Sequence, residues 1–265
     1  MNQIDTLSPW LININGLKPN NPIIVMFAYA GAGASVFYRW AKELDQSSVI
    51  LVQLPGREQR SGEALPDSLV QCATEIVENL CEHLPQSSRC TFFGHSLGAL
   101  MAYEVAYQHG QRAFNKSFSI EHIVLSGRGS PSSAPTLSLV HTLPRQEFWQ
   151  AIVKEGGMVK EIMAIPEMLD LIEPVLRADL KLNCEYVWQP KVKLQIPLTV
   201  LGGSEDSHYH IDALHNWQEV TSCSVHVKEY QGDHFFISNH MAPIIELLKD
   251  LSKTPQINHV ACSNA

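Results

Sequence analysis

Cys90-Thr91-Phe92-Phe93-Gly94-His95-Ser96-Leu97-Gly98 is the stretch on which the reading of this chain turns. Its first four residues are β-prone, and the run Ala99 to Gln108 that follows is helix-like. Between them stands the pattern G-x-S-x-G. A serine at a sharp strand-to-helix turn holds its hydroxyl exposed, and the flanking glycines let the backbone turn tightly without a Cβ clash. The free N–H groups of the following helix point back at the turn and stabilise negative charge that develops there. Ser96 is therefore a candidate nucleophile. The strand before it and the helix after it carry more weight than the five letters.

Strand and helix signals alternate on either side of this turn. Ile23 to Ala28 is a continuous apolar run, as expected of a strand covered on both faces. The turn Ala30-Gly31-Ala32-Gly33-Ala34 follows, then a helix-like stretch from Ser35 to Leu44. Val49 to Leu54 reads as a strand closed by Pro55-Gly56. Asp67 is placed to cap a helix reaching about Leu84, with Leu69, Cys72, Ala73, Ile76, Val77 and Leu80 on one face. Ile123 to Leu125 is a further buried strand, ending in Ser126-Gly127.

From about Ser130 to Trp188 the strand signal fades. Pro144 to Glu155, Pro166 to Leu171 and Pro174 to Tyr186 read as helices, each with proline near its start. Strands resume at Pro197 to Leu201 and Ser224 to Tyr230, and a last helix covers about Pro243 to Leu251. Residues 1–21 read as polar and turn-rich, and the tail from about 253 to 265 as flexible. The alternation predicts one α/β domain over residues 1–265, with a mostly parallel central sheet and helices on both faces. The helical block at about 130–188 is expected to be a lid inserted over the strand ends, where α/β proteins place their sites.

Composition narrows the function classes. Nineteen Lys and Arg against 27 Asp and Glu give a net charge of −8, a poor match for nucleic acid or an anionic membrane. The apolar run Ile23 to Ala30 is too short to span a bilayer. The start Met1-Asn2-Gln3-Ile4-Asp5 lacks the basic and apolar regions of a secretory signal, so cytoplasmic residence is the expectation. The six cysteines (Cys72, Cys81, Cys90, Cys184, Cys223 and Cys262) form no C-x-x-C pair and are expected to be reduced thiols, mostly buried. No histidine spacing suits a metal. His208 and His210 are close, but as a loop pair without further ligands they are expected to be solvent-exposed.

A serine hydroxyl needs a base within hydrogen-bonding reach, and the base needs an orienting acid. In the α/β-hydrolase fold, which the strand–serine turn–helix context points to, the chain order is Ser, then Asp or Glu, then His. The first acids beyond a strand after the helical block are Glu205 and Asp206, in Leu201-Gly202-Gly203-Ser204-Glu205-Asp206. Gly232-Asp233-His234-Phe235-Phe236 follows the last strand. His234 is assigned as the general base and Asp206 as its orienting acid, with Glu205 a rival. Asp233 is expected to shape the turn, and His95 to pack or hydrogen-bond behind the serine. The oxyanion donors expected are the backbone N–H groups of Leu97 and Ala30.

Several segments together resemble one family, the stand-alone type II thioesterases that accompany nonribosomal peptide and polyketide synthases. They are Met26 to Ser35 with Phe37 and Trp40, the P-G-R-E element in Leu54-Pro55-Gly56-Arg57-Glu58, the turn Gly94 to Ala99, Leu176-Arg177-Ala178-Asp179, and Gly232 to Phe236. The likeness runs from about residue 20 to 250 and departs at Ala28, where the family often has proline; that implies a looser loop around the Ala30 donor. The resemblance implies an acyl substrate on the phosphopantetheine thiol of an acyl or peptidyl carrier protein, hydrolysed through a Ser96 acyl-enzyme. It implies no cofactor beyond the phosphopantetheine that the partner carries.

Tyr29, Phe148, Met158, Met163 and Phe235 are candidate substrate contacts. Phe148, Trp149, Ile152, Met158, Met163 and Met168 suit either an acyl tunnel or the core of the helical block. Arg57 and Arg60 suit either an acidic carrier surface or a structural role. The chain is expected to be a monomer. The alternative functions are chain release of medium-chain fatty acyl groups from a carrier, and carrier binding without turnover.

Overall fold

The computed structural model describes residues 4–17, 21–112, 117–133, 139–154, 165–209 and 211–253. Eight strands form one sheet: β1 (Ile4–Ser8), β2 (Leu11–Ile14), β3 (Ile23–Phe27), β4 (Ser48–Val52), β5 (Ser88–His95), β6 (Phe118–Ser126), β7 (Leu198–Gly203) and β8 (Val225–Tyr230). Their order across the sheet is β1-β2-β4-β3-β5-β6-β7-β8. The β1–β2 and β2–β4 pairs are antiparallel, and all the others are parallel.

The first two strands correct the expectation that residues 1–21 are turn-rich. Leu11–Ile14 is only four residues long and includes the buried Asn13, so it shows neither clean alternation nor an apolar run. Tertiary pairing makes it a strand, with Leu11 opposite Val52 and Ile14 opposite Val49.

Successive residues of the central strands face opposite cores. Val25 and Phe27 join Ile50, Phe92 and Leu125 under α2 (Leu69–His83) and α3 (Leu97–Gln111). Ile24 and Met26 join Leu51, Phe93 and Val124 against α1 (Tyr38–Glu43) and the C-terminal helix Met241–Lys253. Both faces are thereby covered, which explains why these strands read as unbroken apolar runs. Helix α2 is capped by Ser68, not Asp67: the Ser68 hydroxyl accepts the Gln71 N–H at 3.2 Å.

Between β6 and β7 lie α4 (Arg145–Lys154) and α5 (Pro166–Glu185). The two helices expected at Pro166 and Pro174 are one, running through Pro174. Leu169, Leu176 and Leu180 pack in a cluster with Phe148, Trp149 and Ile152, and that burial outweighs the single hydrogen bond the proline removes. The last helix begins at Met241 and ends at Lys253, so the expected flexible tail otherwise lies outside the described residues. No described helix is long and apolar enough to cross a membrane. Cys72, Cys81, Cys90 and Cys184 are free, whereas Cys223 is disulfide-bonded, which corrects the expectation of six reduced thiols.

The chain leaves β3 for β4 on one side, then returns to place β5 on the other. Ligands of open α/β sheets bind at such a reversal, beyond the carboxyl ends of the strands. The loop after β3 and the turn after β5, which carries Ser96, meet there.

Candidate active site

Ser96 has φ 54° and ψ −115°, a strained conformation for a residue with a side chain. Packing enforces it. A Cβ on Gly94 would lie 2.1 Å from the Gly98 carbonyl oxygen, and one on Gly98 would lie 2.1 Å from that of Phe27. Only glycine at both positions lets α3 start this close to β5 and β3. The Ser96 N–H donates to the Ser126 carbonyl at 2.8 Å, locking the turn to the end of β6. Leu97 opens α3, so its N–H has no partner within the helix. The Ser96 hydroxyl makes no hydrogen bond among the described residues.

His95 is fully buried behind the serine, with Nδ1 3.0 Å from the Ser126 hydroxyl. Burial, helped by the nearby His234 and His208, pushes its pKa well below the ordinary histidine value, so the ring is neutral.

His234 follows β8 and is buried. Its Nδ1 lies 2.9 Å from Oδ2 of Asp206, which follows β7 and whose side chain is 1% exposed. Glu205, the rival acid, is exposed; its N–H donates to the Gly232 carbonyl at 2.9 Å. The His234 ring centroid lies 5.0 Å from that of His95, the residue preceding Ser96. Asp233 shapes the turn, accepting the Phe235 N–H at 2.8 Å. Tyr29 and Phe235 pack edge-on at 5.3 Å, and both flank His95.

His208 was not legible as part of this group. Its ring stacks on His234 at 4.2 Å and 19°, and its backbone N–H donates to Asp206 Oδ1 at 2.8 Å. It is half-buried rather than solvent-exposed, and His210 lies outside the described residues. Ligand atoms of Asp206, His208 and His234 fall within 4.8 Å of one another, so His208 has two ligand-type neighbours that spacing alone did not reveal. The D-x-H spacing of Asp206 and His208 was the available signal.

The loop after β3 turns at Tyr29 to Ala32, with the Ala32 N–H donating to the Tyr29 carbonyl at 3.1 Å and Gly31 at φ +79°. The Gly31 N–H is taken by Asp179 Oδ2 at 2.7 Å, which leaves Ala30 as the donor to consider on this loop. Phe148 is fully buried, packed between Trp149 and the Arg177 guanidinium in the core of the helical segment. Met158 and Met163 lie outside the described residues. Arg57 and Arg60 are not surface cations: Arg57 pairs with Asp179, and Arg60 with Glu63 while stacking over Trp10 at 4.3 Å.

A mostly parallel sheet with this order and a strained serine turn after its central strand defines an α/β hydrolase. The chain belongs to the thioesterase family: residues 22–251 match the family's thioesterase domain. It is 31% identical over 254 residues to the gramicidin S biosynthesis protein GrsT of Aneurinibacillus migulanus, covering 94% of this chain and 95% of that protein. It is 33% identical over 238 residues to thioesterase PikA5 of Streptomyces venezuelae, covering 88% and 82%. Among solved structures it resembles RedJ, the thioesterase of the prodiginine biosynthetic pathway in Streptomyces coelicolor. That match has a TM-score of 0.77 and 31% identity, and covers 89% of each chain.

Proposed function

We propose that this thioesterase hydrolyses acyl groups from the phosphopantetheine arm of carrier proteins, clearing blocked nonribosomal peptide or polyketide synthases, through Ser96, His234 and Asp206. The carrying observation is the 2.9 Å hydrogen bond between His234 and Asp206, two residues from different strand ends, beside the Ser96 turn. Biosynthetic relatives such as GrsT and PikA5 support the substrate class.

In this reading Asp206 holds His234 with Nδ1 protonated, so Nε2 is the basic nitrogen. As the thioester carbonyl enters, Nε2 takes the Ser96 proton and Oγ attacks the carbonyl carbon. Catalytic hydrogen bonds of this kind tighten when substrate arrives. The N–H groups of Leu97 and Ala30 hold the oxyanion, each worth ~10²–10³ in rate. Collapse breaks the C–S bond, and His234 gives its proton to the departing pantetheine thiolate, which leaves as the thiol. Water, deprotonated by His234, then attacks the acyl-serine; the acid leaves and Ser96 regains its proton. The segment holding α4 and α5 acts as a lid over the acyl group, with Tyr29 and Phe235 against it. No metal or cofactor takes part, and the protein works as a monomer.

The test is initial-rate hydrolysis of a panel of acyl-carrier proteins against the matching free oxygen esters. Preference for short and varied acyl-carriers supports editing. A sharp optimum at medium chain length would reassign the enzyme to chain release, and preference for free esters would overturn the carrier reading.

A further inference from the structure

The segment Ala30-Gly31-Ala32-Gly33-Ala34 has no side chain larger than a methyl, so nothing of its own fixes it. It is held from outside. The Ala34 N–H donates to Gln53 Oε1 at 2.8 Å, and the neighbouring Ser35 N–H to Glu58 Oε1 at 3.2 Å. The Ala32 carbonyl accepts from Arg57 Nη1 at 3.1 Å, and the Gly31 N–H donates to Asp179. Arg57 and Asp179 are themselves joined by two hydrogen bonds, Nη1 to Oδ2 at 2.5 Å and Nη2 to Oδ1 at 2.7 Å. Their side chains are 5% and 0% exposed.

Two physical consequences follow. Gly31 is the third residue of a turn closed by Tyr29 and Ala32, and its positive φ is the type II signature. Fixing its N–H fixes the Ala30–Gly31 peptide plane; together with the turn bond from Ala32 to Tyr29, this restricts the φ and ψ of Ala30 and so the preceding peptide, which carries the Ala30 N–H. In addition, a fully buried carboxylate hydrogen-bonded to the N–H of the residue next to an oxyanion donor would oppose the charge that forms there, unless a cation cancels it. The bidentate guanidinium does so in a fixed planar geometry that lysine lacks.

We propose that the buried Arg57–Asp179 pair is the positioning device of the oxyanion loop: Asp179, reaching from α5, sets the Ala30–Gly31 peptide, and Arg57 neutralises it so that the transition-state charge is not opposed. This rests on the reading of Ser96 and Ala30 above.

The experiment compares wild type with Arg57→Gln, Arg57→Lys, Asp179→Asn and the Arg57→Gln/Asp179→Asn double variant. The substrate is a short acyl-pantetheine thioester, with rates expressed per Ser96 labelled by a fluorophosphonate. The Ki of an alkylboronic acid, which forms a tetrahedral adduct on serine, is measured alongside.

Arg57→Gln, which leaves the carboxylate unpaired, is expected to lose about 10²-fold in kcat with KM changed under about 3-fold. Its boronate Ki should rise in parallel, and the neutral double variant should recover about tenfold. Arg57→Lys should fall between and decides the matter if Arg57→Gln does not fold. Retention of kcat within about 3-fold in the folded single variants, or a lost kcat with unchanged boronate Ki, overturns the proposal. Failure of wild type to hydrolyse thioesters at all would instead overturn the functional reading on which it rests.

Discussion

At the scale of the residue, Ser96 sits where its backbone is strained by about 1–3 kcal/mol, and the glycines at 94 and 98 are what hold it there. Burial separates the two candidate acids. Asp206 reaches His234 from a buried position while Glu205 faces solvent, so Asp206→Asn is expected to lower kcat/KM by ~10³–10⁴ and Glu205→Gln to change it under about 3-fold. Steady-state kinetics on an acyl-pantetheine thioester check this, and the reverse ranking would move the role to Glu205. Ser96, Asp206 and His234 stand out in the sequence as candidates because each sits in a glycine-marked turn just after a strand, and the fold joins His234 to Asp206 at 2.9 Å. The Arg57–Asp179 pair was not legible, since two charges 122 residues apart leave no periodic trace in sequence. For the same reason the stack of His208 on His234 was hidden; ring contacts across two loops follow only from the fold.

At the scale of the element, the apolar strands and amphipathic α2 could be read directly, whereas β1 and β2 could not. An edge ribbon gains its strand character from pairing with β4, and Asn13 within it breaks the pattern. Proline at 174 has the look of a helix start in sequence, but the buried face of α5 carries the helix through it. The β6–β7 pair carries a pH-dependent contact. His122 Nε2 lies 2.9 Å from the Thr199 hydroxyl, and burial, with the charge of His226, lowers its pKa to about 4. In the unfolded chain it titrates near ~6.5. Between these values the unfolded state binds a proton that the folded state refuses, so stability is full above the upper value and falls as pH drops toward the lower one. His122→Gln should flatten the fall in unfolding free energy from urea titrations between pH 7 and pH 4.5 by on the order of 2 kcal/mol. Some slope should remain from the buried, neutral His95. An unchanged slope would contradict the assignment.

At the scale of the whole molecule, alternate faces of one sheet feed two cores, and the reversal between β4, β3 and β5 opens the crevice where the serine turn and the oxyanion loop meet. The general architecture was therefore legible from strand and helix alternation around Ser96. What joins α5 to the loop after β3, the Asp179 bond to the Gly31 N–H, was legible only once the chain was folded. Although Asp206, His208 and His234 are close enough to hold a cation, the proposed serine chemistry draws on none, so prolonged treatment with EDTA should leave thioester hydrolysis within about 2-fold. Loss of activity restored by added zinc would give that cluster a role the account denies it. The most direct measurement is thiol release from an acyl-carrier protein by wild type and by Ser96→Ala, with circular dichroism verifying that both are folded. A loss of ~10⁴-fold or more is expected in the variant; turnover within tenfold of wild type would contradict a Ser96 acyl-enzyme.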